Sequence, residues 1–140
     1  MSNFVSIFNQ SFERTVGKDN ATPFFDRFYA IFQAHGEVKR KFDSVPPERR
    51  SPMVRESLVE LMTYYATGQA SDYMHKIARM HDKQHTDIRP KLYAMWLEAL
   101  LQCVSEFDPD FNEEVDAAWR IVVTPGIAFM THHWPGEEDS

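Results

Sequence analysis

The feature that most constrains this chain is the return of apolar side chains every three or four residues, broken by proline and glycine at intervals that suit single helices. From Asn3 to Val16 the residues Phe4, Phe8 and Phe12 recur with Val5 and Val16, and Gly17 stops the run. Thr22-Pro23 offers a capping hydroxyl followed by a first-turn proline, after which Phe24, Phe28, Ile31 and Phe32 share one face until Gly36. A short piece from Glu37 to Lys41 ends at Phe42, and Asp43 to Pro47 reads as a turn-rich loop. Ser51-Pro52 repeats the cap-and-proline signal ahead of a long helix carrying Val54, Leu58, Leu61, Met62 and Tyr65, closed by Gly68. Ser71-Asp72 opens a shorter helix with Tyr73, Met74, Ile77, Ala78 and His81 on or near one face. Pro90 begins the next, with Tyr93, Trp96, Leu97, Leu100, Leu101 and Val104, ended by Asp108-Pro109. The last starts near Asn112, carries Val115, Trp119, Val122, Ile127 and Met130, and is expected to bend at Pro125. No segment reads as a strand. The expectation is one all-α domain over residues 1–132 with a flexible acidic tail, 133–140. It would be packed either as a bundle or as helices crossing near about 50°.

Composition narrows the function classes. Lys and Arg number 15 against 21 Asp and Glu, a net charge of −6, so nucleic acid is a poor partner. An apolar share of 43% with 11 Phe is far above that of a disordered chain. The single cysteine, Cys103, excludes an intramolecular disulfide, a Cys-rich zinc site or an iron–sulfur cluster built from this chain alone, and fits a reducing compartment as a small buried hydrophobe. There is neither a basic start followed by an apolar run nor a stretch of about 18 apolar residues, so the expectation is a cytoplasmic protein with no membrane contact.

Chemistry must come from the histidines: His35, His75, His81, His85, His132 and His133. His81 and His85 are four apart and share a face if their helix continues that far, but two imidazoles do not complete a zinc site. His132-His133, beside Trp134 and the acidic tail, could hold a metal only adventitiously. A haem iron asks for less, because the porphyrin supplies four nitrogens and the protein need add one axial imidazole and an apolar slot. His81 continues the Met74-Ile77-Ala78 face, where one ring nitrogen could meet iron while the other donates to a backbone carbonyl near Ile77. On spacing alone a satisfied core histidine among ordinary core aromatics is the favoured reading.

The order of the signals resembles the bacterial single-domain globins. Phe24-Phe25-Asp26-Arg27-Phe28-Tyr29 followed by Val38-Lys39-Arg40-Lys41-Phe42 is similar to the family's second helix and the corner whose phenylalanine packs flat on the porphyrin; Phe42 matches that residue. Ile77-Ala78-Arg79-Met80-His81 and Ile88-Arg89-Pro90-Lys91-Leu92-Tyr93 resemble the proximal helix and the start of the next, with His81 at the iron ligand. Ala118-Trp119-Arg120 to Pro125-Gly126-Ile127-Ala128-Phe129-Met130 resembles the last helix, so the likeness spans about residues 3 to 131.

The resemblance implies a globin-like fold of six to eight helices holding haem b. Attachment would be noncovalent, since no Cys-x-x-Cys-His is present. It implies contacts to haem from Phe42, Ile77, Tyr93, Val54, Leu58 and Phe28, with His85 and Arg89 near the propionates. Where the family often has a distal histidine or glutamine this chain has Val54, matching Leu58 to the pocket residue one turn on. A bound gas would therefore find its hydrogen bond at Arg50, at Tyr29 or at no side chain, the tyrosine being preferred over its neighbour Phe28 because a buried phenol needs a partner. The implied function is binding of O2, NO or CO for transport, sensing or detoxification. Nitric-oxide dioxygenase or peroxidase activity would need a separate reductase. A haem-free interaction module and an electron carrier with both axial positions filled by protein are the competing readings, and a homodimer through the apolar last two helices is a further expectation.

Overall fold

A computed structural model describes residues 3–17, 21–43, 45–82 and 84–134, apart from the side chains at 47, 50 and 51. It contains seven helices and, among the described residues, no strand: α1 (Phe4–Thr15), α2 (Thr22–Phe32), α3 (Gly36–Phe42), α4 (Pro47–Thr67), α5 (Asp72–Met80), α6 (Pro90–Phe107) and α7 (Glu113–His132). No helix is long and apolar enough to cross a membrane among the described residues.

Side-chain caps set three of the starts. Asn3, Ser71 and Asn112 each accept the backbone N–H three residues on, from Ser6, Met74 and Val115. The two proline-marked starts differ from expectation. Thr22 is the first residue of α2 rather than its cap, Ala21 takes the cap position, and no side chain closes it. The long helix α4 begins at Pro47, four residues before Ser51, because Pro46 is extended (ψ 139°) and Pro47 already has the backbone angle a first turn needs. Pro52 therefore lies inside α4, where it forgoes one hydrogen bond to the carbonyl a turn earlier. Gly68 closes α4 with φ 71°, the left-handed conformation glycine adopts without steric cost. α5 ends at Met80 with His81 as its C-cap, so His81 and His85 do not share a helical face.

Helix α7 is the centre of the packing and lies against α1, α4 and α6, while α2 packs on α6. Trp119 of α7 is wholly buried edge-on to Phe8, ring centroids 4.6 Å apart. Its Nε1 donates to Ser11 Oγ at 2.9 Å, and that hydroxyl donates to Asp108 at 2.6 Å. Arg14 completes the group with two bonds to the same carboxylate, at 2.6 and 2.9 Å. Burial alone would raise the Asp108 pKa, but the hydrogen bonds from Arg14 and Ser11 hold it below the usual carboxylate range. One satisfied polar knot thus ties α1 and the end of α6 to α7 inside the core.

α4 meets α7 at Gly126, where an added Cβ would stand 2.1 Å from Leu61 Cδ2. α7 runs unbroken through Pro125 from Glu113 to His132, so the proline does not divide it. The packed chain also continues past 132: Trp134 is 5% exposed and its Nε1 donates to Asp87 at 2.8 Å. Residues 135–140 lie outside the described residues.

Gly126→Ala should lower the unfolding free energy by about 1–3 kcal/mol, and the urea midpoint with it, because the methyl displaces a buried leucine. Ser11→Ala should cost a similar amount, about 1–3 kcal/mol, by stripping a partner from both the Trp119 indole and the Asp108 carboxylate. Equilibrium unfolding of the two variants checks both values.

Candidate functional site

Between α4 on one side and α5 with the start of α6 on the other lies a cavity of about 380 Å³, also walled by α2, α3 and α7. Tyr29, Phe42, Val54, Ile77, His81 and Tyr93 all line it, so the structure brings together these residues from five separate segments. Phe32, Val38, Leu61, Met74, Leu92, Trp96 and Ile127 make most of the remaining wall apolar. Met53, Met80 and Thr86 are the exposed members of the lining and mark its mouth.

Four residues expected at the site stand outside the lining, Phe28 and Leu58 because of the helix face on which they fall. Successive residues of a helix point about 100° apart, so only one of Phe28 and Tyr29 can face the cavity. Tyr29 does, and Phe28 packs into the core against Tyr29, Phe32 and Trp96. On α4 the face toward the cavity is Met53, Ser57 and Glu60 with Val54 and Leu61 at its edges, while Leu58 is wholly buried in the core. Val54 thus lines the cavity as expected, and a hydroxyl, Ser57, stands one turn on where the apolar Leu58 was anticipated.

The two propionate candidates are engaged elsewhere. His85 is exposed and its Nδ1 lies 2.7 Å from Asp82, whose carboxyl it holds below its ordinary pKa. Arg89 forks onto Glu37, with Nε at 3.0 Å and its second nitrogen on the other oxygen; this bond keeps the Glu37 carboxyl low. Neither lines the cavity. The Arg50 side chain lies outside the described residues. Sequence reasoning missed Lys41, the one cation among the described lining residues, whose Nζ donates to the Thr86 carbonyl at 2.7 Å beside the mouth. Its signal was present as the basic run Lys39-Arg40-Lys41 directly before Phe42.

His81 is held by its backbone and by its ring. Its N–H donates to the Ile77 carbonyl at 2.9 Å, so that carbonyl serves the helix end and not the imidazole, contrary to expectation. The ring Nδ1 instead lies 3.1 Å from the hydroxyl of Tyr93 on α6. Burial pushes His81 down to about 4 from its ordinary 6.5, and raises the Tyr93 phenol. Both rings are therefore uncharged near neutral pH. With Nδ1–H donated to the tyrosine oxygen, the lone pair sits on Nε2, which has no hydrogen-bond partner among the described residues. No three His, Cys, Asp or Glu side chains cluster as metal ligands among the described residues. Cys103, far up in pKa at about 12, is a buried thiol without nucleophilic character.

No family sequence model and no curated protein sequence matches the chain. Among solved structures it is similar to a protein from Pseudomonas aeruginosa PAO1 whose crystal structure is described as structurally highly homologous to a human hemoglobin. The two share 31% identity and superpose with a TM-score of 0.87 over 96% of this chain and 100% of the other. That likeness, over nearly the full length of both chains and on the same all-helical fold, places the protein in the bacterial globin family.

Proposed function

We propose that the cavity holds haem b noncovalently through His81, and that a diatomic gas (O2, NO or CO) would bind at its iron. The observation that carries this reading is the His81 ring itself. It is a neutral imidazole on the wall of an apolar cavity, with Nδ1 engaged by Tyr93 and Nε2 left for a Lewis acid. The donor set fits haem because a single imidazole and a flat apolar slot are all that a porphyrin-held iron requires of the protein. Haem, when bound, supplies an iron with a coordination position open to the gas. The likeness of the Pseudomonas protein to a human hemoglobin supports the same assignment.

The chain's own residues then divide the work. The Tyr93 hydroxyl, 3.1 Å from Nδ1, orients the ring, and with Nδ1 as the donor it would leave the Nε2 lone pair for the iron. Phe42 contributes an apolar wall at the α3 corner, itself backed edge-on by Tyr29 and Phe32 with centroids 5.3 and 5.9 Å away. Tyr29 brings a phenol to the lining and is the hydrogen-bond donor we assign to the bound gas, with Ser57 a second hydroxyl on the same cavity. Lys41, at the mouth, is the cation placed to meet a propionate, in place of His85 and Arg89. Turnover as a nitric-oxide dioxygenase would draw its electrons from a separate reductase. A haem-free interaction module is the weaker reading, because side chains do not fill the 380 Å³ between α4 and α5.

Haem titration followed by the strong near-ultraviolet absorption band tests the proposal. Wild-type protein should develop the band stoichiometrically. His81→Ala should lose haem affinity by more than the roughly 10- to 100-fold expected for Tyr93→Phe, which removes only an outer-shell partner. A wild-type protein that develops no band would remove the proposal.

Tyr29→Phe should release oxygen about tenfold faster in stopped-flow measurements, the effect of one hydrogen bond of about 1.4 kcal/mol. Equal rates would take Tyr29 out of the distal role.

The haem-free protein should also be acid-sensitive through His81. A folded-state pKa of about 4 against 6.5 means the unfolded chain binds the extra proton between these values, so stability is complete above about 6.5 and declines as pH falls toward 4. Of the order of 2–3 kcal/mol should be lost over that window in wild type, and His81→Gln should flatten the urea-midpoint profile there.

A further inference from the structure

The loop from Asp82 to Arg89 joins α5, with its His81 cap, to α6. Backbone bonds fold it tightly: Thr86 N–H donates to the Met80 carbonyl, Asp87 N–H to the Asp82 carbonyl, and Ile88 N–H to the carbonyl of His81 itself, each at 2.9 Å. To make these bonds Asp87 adopts φ 56°, the only positive φ at a non-glycine position among the described residues. An aspartate tolerates the left-handed region better than most side chains but does not favour it, so surrounding contacts must hold it there.

Two contacts from distant parts of the chain do so on adjacent residues. Lys41 Nζ grips the Thr86 carbonyl at 2.7 Å from α3, and Trp134 Nε1 grips the Asp87 carboxylate at 2.8 Å from beyond the end of α7. Trp134 is no loose end. It is 5% exposed, and its own N–H donates to the Thr131 carbonyl at 3.1 Å, which anchors it to the last turn of α7. A buried indole that donates to a carboxylate fixes both partners more firmly than a solvent-exposed contact would.

We infer that Trp134 is a positioning residue for His81: by holding Asp87 left-handed it keeps Ile88 N–H on the His81 carbonyl, and so sets the orientation in which the His81 ring meets Tyr93. This rests on the reading of His81 as the iron ligand. The segment after α7 is then a strap across the loop beside His81, and it ties the last turn of α7, not the packing of the whole helix, to the imidazole through two residues.

The experiment compares haem-loaded wild type with Trp134→Phe, Asp87→Ala, Asp87→Asn and Ser11→Ala. The readouts are haem release to an excess of an acceptor globin and the iron–histidine stretching band of the ferrous protein. Trp134→Phe keeps the ring and loses the donor; Asp87→Ala loses the acceptor with the indole in place. Both should release haem about fivefold faster and shift the band. Asp87→Asn keeps an acceptor oxygen and the tolerance for a left-handed backbone, so it should match wild type. Ser11→Ala loosens the core knot far from the loop and should lower the urea midpoint without moving the band. The inference is overturned if Trp134→Phe and Asp87→Ala leave both readouts unchanged, or if Ser11→Ala moves the band as far as they do. A wild-type protein that takes up no haem would overturn the haem reading and with it the role for His81. Faster amide exchange at Asp87 and Ile88 in Trp134→Phe would even then uphold the strap, and unchanged exchange would overturn it.

Discussion

The architecture turns on where α5 stops. Because the helix ends at Met80, His81 becomes a C-cap whose ring is carried on a helix end and not on a helix flank, within 3.1 Å of the Tyr93 hydroxyl. An imidazole in that position is buried enough to stay neutral and has one nitrogen committed, which are the two conditions for presenting the other as a ligand. Had α5 continued to His85, both imidazoles would sit along one face, and the loop that bears on His81 would not exist. What stops the helix is chain geometry: the carbonyls of Ile77, Met80 and His81 are taken by N–H groups of His81, Thr86 and Ile88, two of them beyond the helix.

Most of the fold was legible because it depends on periodicity. Phe8, Phe24, Leu100 and Trp119 are deeply buried as their spacing requires, and caps at Asn3, Ser71 and Asn112 close helices near where the sequence marks them. The errors cluster at prolines, which signal a first turn without saying which of several is first. Pro46-Pro47 and Ser51-Pro52 are both plausible starts, and the earlier pair wins since Pro46 is extended and Pro47 preset for the turn.

The site was less legible, for a different reason. Which residues gather around a slot depends on helix rotation, and a rotation of one residue exchanges Ser57 for Leu58 while leaving the apolar pattern of α4 almost unchanged. Ion pairing is equally hidden from the linear chain: nothing in the order of residues tells that Arg89 meets Glu37, 52 positions away, and is thereby removed from the cavity. Lys41 escaped notice because a lysine in a basic run is usually solvated, and only its bond to the Thr86 carbonyl reveals its place at the mouth. Phe42, Tyr29 and His81 do line the cavity; Phe42 and His81 stand in an ordered succession of motifs more specific than any single residue, while Tyr29 was preferred to Phe28 only because a buried phenol needs a partner.

A cavity of this size is a cost that the rest of the chain must offset, because lining atoms lack the contacts a filled core would give them. The slot-lining Ile127 and Met130 lie in the second half of α7, whereas the compensation is concentrated in its first half. There Trp119, Ser11, Asp108 and Arg14 form a knot in which each buried polar group is satisfied. Surface pairs such as Arg27–Glu106, exposed at both ends, add little by comparison. Gly126 lets Leu61 close against α7, so the distal wall hangs on the same helix whose far end, through Trp134, grips the loop beside His81. Both faces of the slot are thus referred to one rigid element. A flat ligand entering between them would bind only the folded chain and stabilise it by mass action, restoring on the cavity side the contacts that the open slot forgoes.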